Sequence, residues 1–160
     1  MSYRVGSGFD AHRLVPGRPL KLGGVHVPFE LGLEGHSDGD CAAHAVCDAL
    51  LGAAGAGDMG QHFPSRDERW KGVASTLFLE ETARIVAAKG FEIANIDATI
   101  VAQAPVLAPH LDEMRRAVSR ALGVTLDDVS IKAKSTDGLG ALGRGEGIAA
   151  LATALVRHKG

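Results

Sequence analysis

The sequence places this chain in the α/β or α+β class. Strand-like segments at residues 3–9, 93–103 and 129–134 alternate with helix-like segments at 40–54, 74–88 and 109–122. Such alternation packs helices against a sheet. Glycine or proline punctuates the segment boundaries. The chain has 160 residues, 46% of them hydrophobic. That is enough for one core, so a single domain over residues 1–160 is expected.

Tyr3-Arg4-Val5-Gly6-Ser7-Gly8-Phe9 alternates loosely and reads as a strand whose glycines permit crowding. Pro16-Gly17-Arg18-Pro19 is a turn. Residues 20–22 and 25–27 flank Gly23-Gly24 and predict a hairpin of short strands. Residues 34–39 are polar and glycine-rich, hence a loop. A helix of small apolar residues follows over 40–54, with Ser37 or Asp38 as the side chain that caps it. Residues 58–71 carry mixed charge, Pro64 and the only Trp, and read as a loop. Over 74–88 the apolar residues recur at helical spacing and stop at Lys89-Gly90. Ile93, Ile96, Ile100 and Val101 mark a strand that Pro105 ends. A helix over 109–122 is closed by Gly123, and a strand follows at 129–134. Residues 146–157 fit two states. Their Ala and Leu content favours helix, and their continuous apolar run after a glycine-rich loop fits a buried strand.

Formal net charge is −2 with no long run of one sign. The footprint of a nucleic-acid binder is missing. No apolar stretch is long and charge-free enough to span a bilayer, and no secretory leader is visible at the start. A cytoplasmic protein with neither nucleic acid nor membrane as partner is expected. Cys41 and Cys47 lie six apart, share no helical face and form no C-x-x-C pair, so they read as reduced packing residues.

Three residues carry the metal chemistry. Asp10 and His12 sit two apart, on one side of an extended strand, and His44 comes from the first turns of the small-residue helix. One carboxylate and two imidazoles are three ligands for a zinc-like ion with a fourth position open, as in catalytic zinc sites. The alternative is that Asp10 caps a turn, His12 is solvated and His44 packs. Asp48, one turn after His44, either orients an imidazole or solvates the helix. His36-Ser37-Asp38-Gly39-Asp40 either hydrogen-bonds an anionic group or caps and turns the chain. His26, His62, His110 and His158 lack companions at ligand spacing. Near the C-terminus, Ser135-Thr136-Asp137-Gly138-Leu139-Gly140 and Gly143-Arg144-Gly145-Glu146-Gly147 present backbone N–H groups and hydroxyls to phosphate oxygens. Asp137 suits Mg²⁺ and Arg144 offers an anion a planar fork. A pair of tight turns is the other reading.

Taken in order, these motifs match something specific. Gly8-Phe9-Asp10-Ala11-His12, Gly35 to Asp40, the helix through His44 and Asp48 to Ala53, Gly57-Asp58-Met59-Gly60, Phe63-Pro64, Ala102-Gln103-Ala104-Pro105, and Gly143 to Gly147 together resemble the 2-C-methyl-D-erythritol 2,4-cyclodiphosphate synthases of non-mevalonate isoprenoid biosynthesis. The resemblance covers nearly the whole chain. It implies an α+β fold with a mixed or antiparallel sheet packed on helices, the sheets meeting around a homotrimer axis, and active sites between subunits. It makes 146–157 a strand.

The resemblance implies a metal-dependent phosphorus–oxygen lyase. Its substrate would be 4-diphosphocytidyl-2-C-methyl-D-erythritol 2-phosphate and its products the 2,4-cyclodiphosphate and CMP. Zinc or another divalent ion would sit on Asp10, His12 and His44, and Mg²⁺ or Mn²⁺ on the substrate diphosphate. His36 and Ser135 would be catalytic. The methylerythritol part would meet Asp10, His12, His36, Ser37, Asp58 and Gly60, under a flap of Phe63, Pro64, Ser65, Arg66 and Asp67. Cytidine would meet Ala102, Gln103, Ala104, Pro105, Val106, Leu107 and Ala108, together with Lys134, Ser135, Thr136 and Asp137. Ala141 and Arg144 complete the implied set. Three positions depart from the family pattern: Ser135 stands for a usual Thr, Asp137 for a usual Glu, and Ala141 for a frequent Phe. Two other functions use the same residues, namely a zinc-dependent phosphoester hydrolase and a non-catalytic binder of isoprenoid diphosphates or nucleotides.

Overall fold

The computed structural model describes residues 2–160. Its elements run β1 (Tyr3–Pro16), β2 (Leu20–Leu22), β3 (Val25–Val27), β4 (Leu31–Leu33), α1 (Cys41–Ala53), α2 (Met59–His62), α3 (Ser75–Ala88), β5 (Phe91–Val101), α4 (Leu111–Leu122), β6 (Val129–Lys134), α5 (Gly140–Gly143) and β7 (Gly147–His158). Five strands form one mixed sheet in the order β4-β1-β7-β5-β6, and β2 and β3 form a hairpin. Every pairing in the sheet is antiparallel except β5 with β6. The class is therefore α+β, with a mixed sheet packed on helices.

The sequence expectations hold for the hairpin, for α1, α3 and α4 within a residue or two, and for β5 and β6. Others need correction. β1 continues seven residues past Phe9, because its far end pairs with β4, a strand too short to leave a periodic signal. Residues 58–71 are not a plain loop. Asp58 caps the one-turn helix α2 and Asp67 caps a 3₁₀ turn over Glu68–Trp70. The cap of α1 is neither Ser37 nor Asp38 but Asp40, which accepts from the Ala43 N–H at 3.0 Å. Residues 146–157, which fitted two states by composition and which the resemblance makes a strand, are strand: β7 lies centrally between β1 and β5, and pairing on both sides overrides helix propensity.

The sheet's helical face makes the core. α1 rests directly on β1 and β7. Side chains at Gly6 and Gly8 would drive a Cβ into the Ala49 and Ala45 carbonyl oxygens of α1, so only glycine lets helix and strand approach this closely. α3 packs beside α1, and α4 beside α3 and β6. Cys41 and Cys47 are buried free thiols in this core, as expected, and burial pushes the Cys47 thiol up to about 12. The opposite face of the sheet is open. Val5 and Phe9 of β1 are 68% and 62% exposed, and Leu151, the β7 partner of Phe9, is 49% exposed. Among the described residues no helix is long and apolar enough to cross a membrane.

Candidate functional site

Alternation along β1 turns Asp10 and His12 toward the helices. On α1 every residue is buried except His44, Asp48 and Gly52. These recur every fourth residue, so a single stripe of the helix opens outward. The glycine-mediated contact brings that stripe over the strand. Asp10 Oδ2 lies 2.7 Å from His12 Nε2 and 3.0 Å from His44 Nδ1. One ligand atom from each residue falls within 4.8 Å of the others. An oxygen and two ring nitrogens converging this tightly suit a zinc-like ion and leave its remaining coordination to a ligand. The donor set the sequence predicted therefore fits a divalent metal.

The electrostatics are those of a preformed pair. Burial raises the Asp10 pKa, but the hydrogen bonds from His12 and His44 outweigh it and hold the carboxyl at about 2. The Asp10 carboxylate in turn holds the His12 ring above its ordinary 6.5, against the opposing pull of burial. The other nitrogen of His44, Nε2, is 3.2 Å from Ser37 Oγ.

The three residues stand in a cleft of about 290 Å³ that also takes in His36, Ser37, Asp48, Gly60 and Ser65. Its apolar wall is Phe63, Trp70 and Phe78, whose ring centroids are 4.9 to 5.6 Å apart. A larger groove of about 590 Å³ lies between α3, α4 and the start of β5, but no histidine or cysteine lines it. Chemistry, not size, singles out the cleft.

Asp48 does not bond His44 as the sequence allowed. Its Oδ1 accepts from the Met59 N–H at 2.8 Å and so holds the start of α2 at the cleft. Asp58 caps α2 through the Gln61 N–H at 3.0 Å. Of the expected flap, Phe63 and Ser65 line the cleft and Pro64 and Arg66 do not. Asp67 turns to Arg69, whose hydrogen bonds lower its pKa. His36 Nε2 reaches the Asp67 carbonyl at 3.4 Å, and its own carbonyl accepts from the Gly72 N–H at 2.9 Å. Arg18, which the sequence left in a turn, donates to the Gly35 and Ser37 carbonyls. Nothing in the sequence signals these last contacts, because their acceptors are main-chain oxygens.

The residues expected around a nucleotide gather elsewhere. They sit at the ends of the parallel strands β5 and β6, where the Ala102 N–H donates to the Lys134 carbonyl at 2.8 Å. Gln103 Oε1 accepts from the Gly138 N–H at 3.1 Å. Ser135 Oγ and the Asp137 carboxylate are 3.2 Å apart, and Thr136 Oγ1 donates to the Leu139 carbonyl at 2.7 Å. Pro105 is half-buried and Val106 exposed, whereas Leu107 is buried in the core. Ala141 is exposed on α5, and Arg144 pairs with Glu146 at 2.6 Å. None of residues 102–108 or 134–144 lines the cleft. β7 separates the strand that carries Asp10 from β5.

Fold and site together define an α+β protein with a candidate metal centre of one carboxylate and two imidazoles. Comparison with known proteins makes this specific. The chain belongs to the YgbB family, whose model matches residues 3–157. It is 56% identical over 151 residues to a Desulfatibacillum aliphaticivorans protein named 2-C-methyl-D-erythritol 2,4-cyclodiphosphate synthase, covering 94% of this chain and 97% of that one. The fold matches the bifunctional IspDF of Campylobacter jejuni with a TM-score of 0.94 and 38% identity. That match covers 98% of this chain and 42% of the bifunctional one. The Plasmodium falciparum IspF complex with CDP matches with a TM-score of 0.87 and 29% identity, over 99% of this chain and 98% of that one.

Proposed function

We propose that this chain converts 4-diphosphocytidyl-2-C-methyl-D-erythritol 2-phosphate to 2-C-methyl-D-erythritol 2,4-cyclodiphosphate and CMP. The observation that carries the reading is the convergence of Asp10, His12 and His44 in a cleft shared with His36 and Ser37. The names of the relatives agree with it. An oxygen of the 2-phosphate bonds to the β-phosphorus. The bond from that phosphorus to the bridging oxygen breaks, and CMP leaves with the oxygen. No protein nucleophile is required, so the protein's work is positioning and charge stabilisation.

Asp10, His12 and His44 would hold a zinc-like ion, and the Asp137 carboxylate would serve a Mg²⁺ or Mn²⁺ brought with the substrate diphosphate. When bound, the two ions supply polarisation of the β-phosphate and neutralisation of the diphosphate charge. His36 and Ser37 present donors to the phosphorylated methylerythritol, and the exposed Asp58 carboxylate accepts from its hydroxyls. Phe63, Pro64, Ser65, Arg66 and Asp67 cover it. The backbone from Ala102 to Ala108 reads the base, with Lys134 to Asp137 at the sugar and phosphates. His36 and Ser135 hydrogen-bond charge that develops in the transition state.

The working unit is a homotrimer built on one domain per chain. Two features support this. The open apolar face of Val5, Phe9 and Leu151 needs cover. The nucleotide residues are absent from their own chain's cleft, so a neighbour's set completes it. Incubation of the chain with the cytidine substrate, Zn²⁺ and Mg²⁺, followed by phosphorus NMR, is expected to show CMP and the cyclic diphosphate appearing together. A ring-opened product carrying solvent oxygen would make the protein a hydrolase instead.

A further inference from the structure

Arg18 lies in the turn between β1 and β2, distant in sequence from the other residues of the site. Its guanidinium bridges two carbonyls of the loop that leads into α1. Nη1 donates to Gly35 O at 3.1 Å and Nη2 to Ser37 O at 2.8 Å. Its Nε is buried without a partner, and among the described residues no carboxylate pairs with it. A cation partly stripped of water for two main-chain oxygens, and no counter-charge, is a poor stabiliser of a fold. The turn itself is pinned, since Gly32 of β4 abuts the Arg18 and Pro19 carbonyls with no room for a Cβ.

The clamped loop carries Ser37, whose hydroxyl is 3.2 Å from His44 Nε2, while His44 Nδ1 faces Asp10. We propose that Arg18 is a positioning residue of the metal centre: it fixes the Ser37 main chain, Ser37 Oγ then fixes the His44 ring, and His44 Nδ1 is held on the metal. Outer partners of ligating histidines commonly govern metal affinity by about 10- to 100-fold. A planar fork spans two acceptors where a single ammonium reaches one. The proposal rests on the metal site assigned above and adds to it the means by which one ligand is oriented.

The test is the zinc affinity of the full chain, measured by competition with a chromophoric chelator, with far-UV circular dichroism to confirm folding. Arg18→Met is expected to weaken zinc binding about tenfold and Ser37→Ala by a similar factor. The double variant is expected to bind no more weakly than Ser37→Ala alone, because both changes break one route. Arg18→Lys is expected to recover part of the loss. Wild-type affinity in Arg18→Met, or losses that multiply in the double variant, overturns the proposal. If Arg18→Met does not fold, Arg18→Lys carries the test: a loss of severalfold supports the route and wild-type affinity overturns it. If wild type binds zinc no better than His44→Ala, the metal site itself fails, and the proposal with it.

Discussion

Asp10 is the residue on which both imidazoles converge, and its acidity sets a pH dependence with a definite sign. Its pKa is lowered from 3.8 to about 2. The stability this contributes is fully present above pH 3.8 and is lost as pH falls through about 2; with solvent screening of the part-exposed carboxylate it amounts to about 1 kcal/mol. His12 is raised above 6.5, so its contribution is full below 6.5 and is lost as pH rises through the folded value. The two shifts are the two sides of one interaction. Metal-free protein is therefore expected to be most resistant to heat between about pH 4 and 6.5, and Asp10→Asn to flatten both limbs of that profile. Zinc must displace the proton that Asp10 helps His12 keep. Calorimetry near pH 6.5 in buffers of different ionisation enthalpy is expected to show proton release on zinc binding. Removing the ring altogether, His44→Ala, is expected to leave a folded chain with no bound zinc and almost no turnover, read by metal analysis and CMP release. Ser135→Ala is expected to lower kcat roughly 10- to 100-fold while nucleotide affinity changes little, since in the proposed role its hydroxyl would act on charge that appears only in the transition state.

At the scale of elements, the site depends on how closely α1 lies on β1. Gly8→Ala is expected to push the helix outward, costing about 2–3 kcal/mol in denaturant titrations and weakening zinc binding as His44 retreats from Asp10. Asp40 is a second control point. It is fully buried and accepts from the Gly23, Gly24 and Ala43 N–H groups and from Ser75 Oγ, tying the β2–β3 turn and the starts of α1 and α3 together. Asp40→Asn keeps the shape but puts an N–H₂ against those donors. It is expected to lower the thermal midpoint by roughly 10 °C, from about 3 kcal/mol lost. Much of this level was legible in the sequence. The spacing of Asp10 and His12, the small-residue helix and the Gly23-Gly24 hairpin are local patterns, and local patterns survive folding. The role of Asp40 as hub was not legible, because it depends on the β2–β3 turn and the start of α3 being brought in from elsewhere. Nor was the change of Asp48 from a partner for His44 to an anchor for α2. The strand β7 ran against its own propensity, and only the family resemblance placed it.

For the whole molecule, the open sheet face and the absence of residues 102–108 and 134–144 from the cleft both support the proposed trimer. Phe9→Asp is expected to convert a three-chain particle to single chains in sedimentation equilibrium and to abolish turnover, while zinc affinity is retained. A wild-type chain that sediments alone at micromolar concentration would remove the shared active site. β1 ties these two levels together, since it hands Asp10 and His12 to the helices and Phe9 to the open face. The strand thus carries two messages interleaved letter by letter. Deleting Ala11 would slide the preceding residues by one against the anchored far end of the strand, setting an aromatic among the imidazoles and a carboxylate on greasy ground. Chemistry and assembly would then fail in the same stroke, although not one ligand had been erased.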